Sequence, residues 1–144
     1  MIFRSKEYPM KSSKDNYYIR IAEAAAHGSS CPKRQFGAVI VKDDRVVSTG
    51  YNGPAKGEPN CCDNGECRCE LHGEKCTAVH AEMKAIINCD PIDMKGATIY
   101  MAGFENRKPI NNPQPCDICR RVIMDAGITR IVTKGNLKYG DSVG

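Results

Sequence analysis

The chain has 144 residues, with 21 basic and 17 acidic side chains for a net charge of +4, nine cysteines and no tryptophan. That length suits one compact domain that buries roughly two-thirds of its unfolded surface, and a 41% hydrophobic fraction beside 26% charged residues excludes a disordered, collagen-like or coiled-coil chain. A charge this small does not by itself imply a polyanion partner, and it is compatible with a phosphorylated small molecule.

Residues 1–14 mix Arg4, Lys6, Glu7 and Lys11 without an apolar secretory core. No apolar stretch approaches the roughly 18 residues of a membrane span. The expectation is a single domain over residues 1–144, cytoplasmic and without a membrane partner. In that setting an odd number of cysteines points to metal ligation and buried thiols rather than disulfides.

Ser12 and Ser13 precede a segment in which Tyr18, Ile21, Ala22, Ala25 and Ala26 share one face at helical spacing, and Gly28 stops it. Residues 36–41 form a continuous apolar run, Asp43 and Asp44 turn the chain, and residues 45–49 run back, which reads as a hairpin. Residues 50–75 carry five glycines and four cysteines, with Cys76 just after them, and show neither helical nor strand periodicity. A segment of that length without regular structure is rare unless it is functional or held by something. A second helix is predicted over 78–88, ended by Asp90 and Pro91, then a short strand over 97–101 and a polar loop over 103–114. The third helix spans 116–126 and closes at Gly127, and residues 128–133 form the last strand. Alternation of β and α after the hairpin predicts an α/β fold, a mixed sheet with helices on both faces.

Two short motifs carry the chemistry. His80-Ala81-Glu82 opens the second helix, and Pro115-Cys116-Asp117-Ile118-Cys119 opens the third. Cysteines at i and i+3 face the same way across one turn, and the positive end of the helix favours their thiolate forms. One imidazole and two thiolates make three ligands for tetrahedral zinc with the fourth position left to water, the pattern of a catalytic site. Glu82, beside the ligand His80 but not itself a ligand, is placed to act as the base.

This pairing of H-x-E with P-C-x-x-C is the signature of zinc deaminases. The chain resembles the cytidine and deoxycytidylate deaminase superfamily from about residue 19 to 133. Residues 31–41 (CPKRQFGAVIV), 48–54 (STGYNGP), 79–87 (VHAEMKAII) and 126–131 (AGITRI) look most like its deoxycytidylate (dCMP) deaminase branch, and Gly50-Tyr51-Asn52-Gly53 is the most discriminating piece. The resemblance implies a three-layer αβα fold around a mixed sheet of four or five strands. It implies hydrolytic conversion of dCMP to dUMP and ammonia, with zinc activating the water that attacks C4 and Glu82 delivering that water's proton to N3 and later helping to protonate the departing amino group. It also implies that Asn52 meets the 3'-hydroxyl of the sugar, that neighbouring glycines let the loop approach the nucleotide, and that Ala81 and Arg34 complete the substrate contacts. For the phosphate, Lys33, Arg34, Lys56, Arg68, Arg107 and Lys108 all sit in loops within reach of such a pocket, and Arg34 is the first choice because it adjoins Cys31 and a planar fork suits phosphate.

In the same way the resemblance implies a second, structural zinc in the long loop, assigned to Cys31, Cys61, Cys67 and Cys76, with Cys62, Cys69 and His72 in reserve. A homo-oligomer, hexameric or dimeric, is implied too. Cys89 reads as a buried helix-end thiol and His27 as a cation at a helix C-terminus. Three alternatives stand beside dCMP: another cytosine nucleoside or nucleotide or an aminated heterocycle, a nucleic-acid editor using Lys33, Arg34, Arg107, Lys108, Arg120 and Arg121, and a zinc-stabilised interaction module. The editor lacks interleaved aromatics for stacking bases.

Overall fold

The computed structural model describes residues 13–60, 62–63, 66–67 and 76–135. Helix α1, Lys14–Ala26, begins where the Ser13 hydroxyl accepts from the Asn16 amide at 3.1 Å, and Asp15 sits in its first turn at the positive end of the dipole. Strands β1, Arg34–Lys42, and β2, Arg45–Tyr51, form the expected hairpin. Asp43 and Asp44 both take left-handed backbone angles (φ 51° and 60°), the primed turn whose twist matches the strands. Asp44 also accepts from the Tyr18 hydroxyl and from Lys14, which pins the turn to α1.

Strand β5, Thr98–Glu105, lies antiparallel to β1 from Arg34↔Glu105 to Val41↔Thr98. Its other side is shared. Strand β7, Arg130–Thr133, runs parallel to its first half, and the two-residue β6, Lys108–Pro109, pairs with its end. The resulting five-stranded mixed sheet has the order β2-β1-β5, with β6 and β7 both beside β5. A separate pair, β3 (Cys62–Asp63) and β4 (Glu66–Cys67), lies in the long loop.

Three helices follow that loop: α2, Ala81–Ile87; α3, Pro91–Met94; and α4, Asp117–Asp125. Alternation along β1 assigns the two faces of the sheet. Ala38 and Ile40 pack with Ala81 and Ala85 of α2 and Ile123 of α4, whereas Val39 and Val41 pack with Tyr18, Ile19 and Ala22 of α1. Both faces are therefore covered, which explains why β1 reads as an unbroken apolar run. The three-layer α/β architecture agrees with the sequence reading. None of the helices described is long and apolar enough to cross a membrane.

Several boundaries differ from the sequence expectation. Helix α2 starts at Ala81 rather than 78, because Val79 is held extended by a bridge to Gly53 (Val79 N–H to Gly53 C=O, 2.7 Å). Asp90 and Pro91 do not merely end α2: Asp90 caps α3 by accepting from the Ile92 amide, and Pro91 opens it. Residues 103–105 are strand, not loop, and Asn106 and Arg107 (φ 52° and 64°) turn the chain into β6. Gly50 and Tyr51 belong to β2, and two short strands interrupt the segment taken as irregular. Gly127 does close α4, at φ 92°. Of the tail beyond Thr133, residues 136–144 lie outside the described residues.

Candidate active site

Helices α2 and α4 lie on the same face of the sheet, and their first residues carry the ligand motif. His80 is the N-cap of α2, but its ring makes no capping bond, so the imidazole is available elsewhere. Its Nδ1 lies 3.2 Å from Cys119 Sγ and 3.6 Å from Cys116 Sγ. Cys116 is the N-cap of α4, its sulfur accepting from the Cys119 amide at 3.3 Å. The three donor atoms fall within 4.8 Å of one another, as in no other group of ligand residues among the described ones.

These distances fit zinc. With metal–sulfur and metal–nitrogen bonds of about 2.3 and 2.0 Å, a tetrahedral site separates nitrogen from sulfur by roughly 3.5 Å. The donor set also calls for a cation. Burial, then the neighbouring Glu82 carboxylate and Cys116, push the Cys119 thiol above its ordinary value. The expected help from the helix dipole is thus outweighed at Cys119 by burial, and a bound divalent ion would reverse that balance.

Glu82 is buried, 5% exposed, in the first turn of α2. It lines a cavity of about 330 Å³ with His80, Ala81, Cys116, Asn52 and Arg34. The sequence reading did not single out Phe36 or Gln114, which also line it. Phe36 reads as part of the apolar run and Gln114 as part of the polar loop; β1 carries Phe36 to the cavity wall, and Gln114 reaches it from the segment that leads into Cys116.

Asn52 extends the β1–β2 pairing with its side chain. Its Oδ1 accepts from the Phe36 amide at 2.8 Å and its Nδ2 donates to the Arg34 carbonyl at 3.1 Å. One amide hydrogen and one lone pair remain for a ligand. Arg34 reaches the cavity while its Nε donates to Glu105 at 3.2 Å, an exposed pair. Gly50 and Gly53 do not line the cavity: Gly50 faces the backbone of α2 and Gly53 pairs with Val79. Gly50 therefore serves close approach of a helix, whereas a Cβ at Gly53 would meet nothing nearer than 3.9 Å.

Of the four thiols assigned to a second metal, Cys61 and the Cys67 side chain lie outside the described residues, as do Cys69 and His72. Cys31 and Cys76 surround a small cavity of about 10 Å³ together with Cys62. Cys89 is buried, and burial raises its thiol. His27 is the C-cap of α1, with its ring 5.0 Å from that of Phe104.

A family model for the cytidine and deoxycytidylate deaminase zinc-binding region matches residues 12–134. The deoxycytidylate deaminase of Mycobacterium phage D29 is 38% identical over 130 residues, which cover 82% of this chain and 91% of that protein. The human deoxycytidylate deaminase is 32% identical over 133 residues, 88% of this chain and 66% of the human one. Among solved structures, the dCMP deaminase of cyanophage S-TIM5 in complex with dCMP and dUMP superposes with a TM-score of 0.65 at 24% identity, covering 86% of this chain and 82% of that one.

Proposed function

The chain belongs to the cytidine and deoxycytidylate deaminase family, and from that premise we propose that it hydrolyses the 4-amino group of dCMP to give dUMP and ammonia. The observation that carries this reading is the convergence of His80, Cys116 and Cys119, with His80, Cys116 and the buried Glu82 lining one cavity. The names of relatives that cover most of their own length, such as the phage D29 enzyme, support the substrate.

Zinc held by these three side chains supplies Lewis-acid activation of the attacking water. Glu82 receives the proton that this water loses and passes it to N3 of the pyrimidine; it then takes the proton of the new C4 hydroxyl and delivers it to the amine, so that C4=O forms as the C4–N bond breaks. The atoms balance: water and dCMP enter, and dUMP and ammonia leave. Burial of Glu82 keeps bulk water from competing for that proton. Asn52 offers its remaining donor and acceptor to the sugar, Ala81 forms the cavity wall beside the ring, and Arg34 meets the phosphate at the exposed rim.

The same reading includes a second zinc in the loop, with Cys31, Cys61, Cys67 and Cys76 as ligands, and the small cavity makes Cys62 a competitor for the place of Cys61. It treats the chain as one catalytic domain, cytoplasmic and homo-oligomeric. Elemental analysis of protein purified without added metal should find two zinc per chain. One zinc, unchanged by Cys67→Ser, would remove the second site.

An ammonia-release assay across dCMP, CMP, dCTP, deoxycytidine, cytidine and guanine tests the activity. The expected result is preference for dCMP, with Glu82→Gln losing turnover while zinc stays bound. A zinc-loaded protein that releases no ammonia from any of them would leave the interaction module as the better reading.

A further inference from the structure

Glycine in a strand interior weakens the strand unless something must come close to its backbone. Gly50 lies inside β2, buried, and its backbone is not left-handed. What comes close is α2. A Cβ built at Gly50 would lie 2.4 Å from the Ala81 carbonyl oxygen and 2.5 Å from the Ala85 nitrogen, both main-chain atoms of the helix. Ala81 is the residue between His80 and Glu82.

Three further ties run from β2 and its continuation to the same helix and the residues leading into it. The Ser48 hydroxyl donates to the Ala85 carbonyl at 2.5 Å, one of the last four carbonyls that a helix leaves unpaired. Gly53 and Val79 exchange backbone bonds of 3.3 and 2.7 Å, and Lys84 Nζ donates to the Pro54 carbonyl at 2.5 Å. A helix of seven residues is not stable by itself, so this seat decides where it lies. Cys116 and Cys119 stand at the start of α4, and none of the three atoms nearest a Cβ at Gly50 belongs to that helix.

Resting on the function proposed above, we infer that Gly50 is a positioning residue for the deamination: its missing side chain sets the distance of α2 from the sheet and thereby the place of Glu82 relative to the two cysteines. Restoring ordinary contact at about 3.4 Å requires a shift of about 1 Å, a displacement that costs a reaction about a hundredfold in rate. The ring of His80, at the helix cap, can follow the metal across that distance by side-chain rotation. Glu82, packed in its first turn, cannot.

The sheet supplies its own control. Gly37 is one register step from Gly50, and a Cβ there would lie 2.0 Å from the Ala22 carbonyl oxygen and 2.5 Å from the Ala26 nitrogen of α1, on the opposite face. Helix α1 carries none of the candidate site residues. Both substitutions therefore crowd a helix backbone, but only one crowds the helix that holds Glu82.

The test compares wild type, Gly50→Ala, Gly37→Ala and Ser48→Ala as full-length, zinc-loaded chains. It reads zinc per folded chain, affinity for dUMP, affinity for a C4-hydrated pyrimidine monophosphate analogue whose tetrahedral hydroxyl meets Glu82, and kcat and KM for dCMP. Gly50→Ala should keep its zinc and its dUMP affinity within about threefold while kcat and analogue affinity both fall roughly a hundredfold. Gly37→Ala should lose thermal stability and keep its kcat per folded molecule. Should Gly50→Ala fail to fold, Ser48→Ala decides, since it removes a tie without crowding; kcat should fall about fivefold with dUMP affinity unchanged. Wild-type kcat and analogue affinity in Gly50→Ala, an equal loss in Gly37→Ala, or, in the unfolded case, an unaffected Ser48→Ala would overturn the inference. If wild type does not turn over dCMP, that failure belongs to the proposed function, and the comparison runs on whichever substrate the ammonia panel returns. If the panel returns none, both readings fall.

Discussion

Arg130 and Asp15, 115 positions apart, are joined by two hydrogen bonds, Nη1 to Oδ1 at 3.0 Å and Nη2 to Oδ2 at 2.6 Å. The Tyr100 hydroxyl donates to the same Oδ1 at 2.7 Å, so one carboxylate fastens the start of α1 to β5 and β7. The Arg130 bond holds the Asp15 carboxyl below its ordinary value of 3.8, against the opposing effect of burial. A depressed folded-state value means stabilisation that is complete above the unfolded value and is lost as pH falls through the folded one. Asp15→Asn should destabilise the chain by about 1–3 kcal/mol near neutrality. Urea unfolding from pH 7 down to 3 should show the gap between variant and wild type closing below about pH 4. A gap that stays constant across that range would mean the pair contributes nothing through its charge.

Loss of a ligand and loss of the base should separate cleanly. Cys116→Ala removes one of the three donors within 4.8 Å and should lose both metal and turnover, whereas Glu82→Ala should keep the metal and lose turnover alone. Zinc content by elemental analysis beside a single-turnover assay distinguishes them, and a Cys116→Ala protein with full zinc would show that the metal is held elsewhere.

Arg34 is the test of phosphate recognition. A charge-assisted hydrogen bond to phosphate contributes about 1.5–3 kcal/mol, or roughly tenfold or more in affinity. Arg34→Ala should raise KM for dCMP by that factor and leave KM for deoxycytidine nearly unchanged. Equal effects on both substrates would assign Arg34 to the cavity wall through its Glu105 pair instead.

Ile123 is fully buried between α4 and the sheet. Ile123→Ala should cost about 2–5 kcal/mol in urea unfolding, the range for deleting a large core side chain that leaves a cavity. A cost below about 1 kcal/mol would mean that α4 relaxes into the space.

Much of this molecule is written locally. Ser13 as a cap, the Asp43-Asp44 turn and Gly127 as a stop each depend on the conformational preferences of one or two residues, and the structure shows them where the sequence placed them. The candidate site was legible for the same reason: imidazole, thiol and carboxylate declare their chemistry by type, and a helical turn fixes the spacing of Cys116 and Cys119. What escaped depends on partners distant in the chain. Residues 103–105 became strand because β1 offers them a ladder, and Val79 left the helical pattern because Gly53 pairs with it. Asp90 and Pro91 carry the same signals whether a helix ends before them or another begins after them, and only packing of Met94 into the core selects the second. Gly50 shows the division most sharply. The sequence states that no side chain stands there, but which backbone fills that space is settled by the crossing of β2 and α2, a contact between elements 30 residues apart that no local preference encodes.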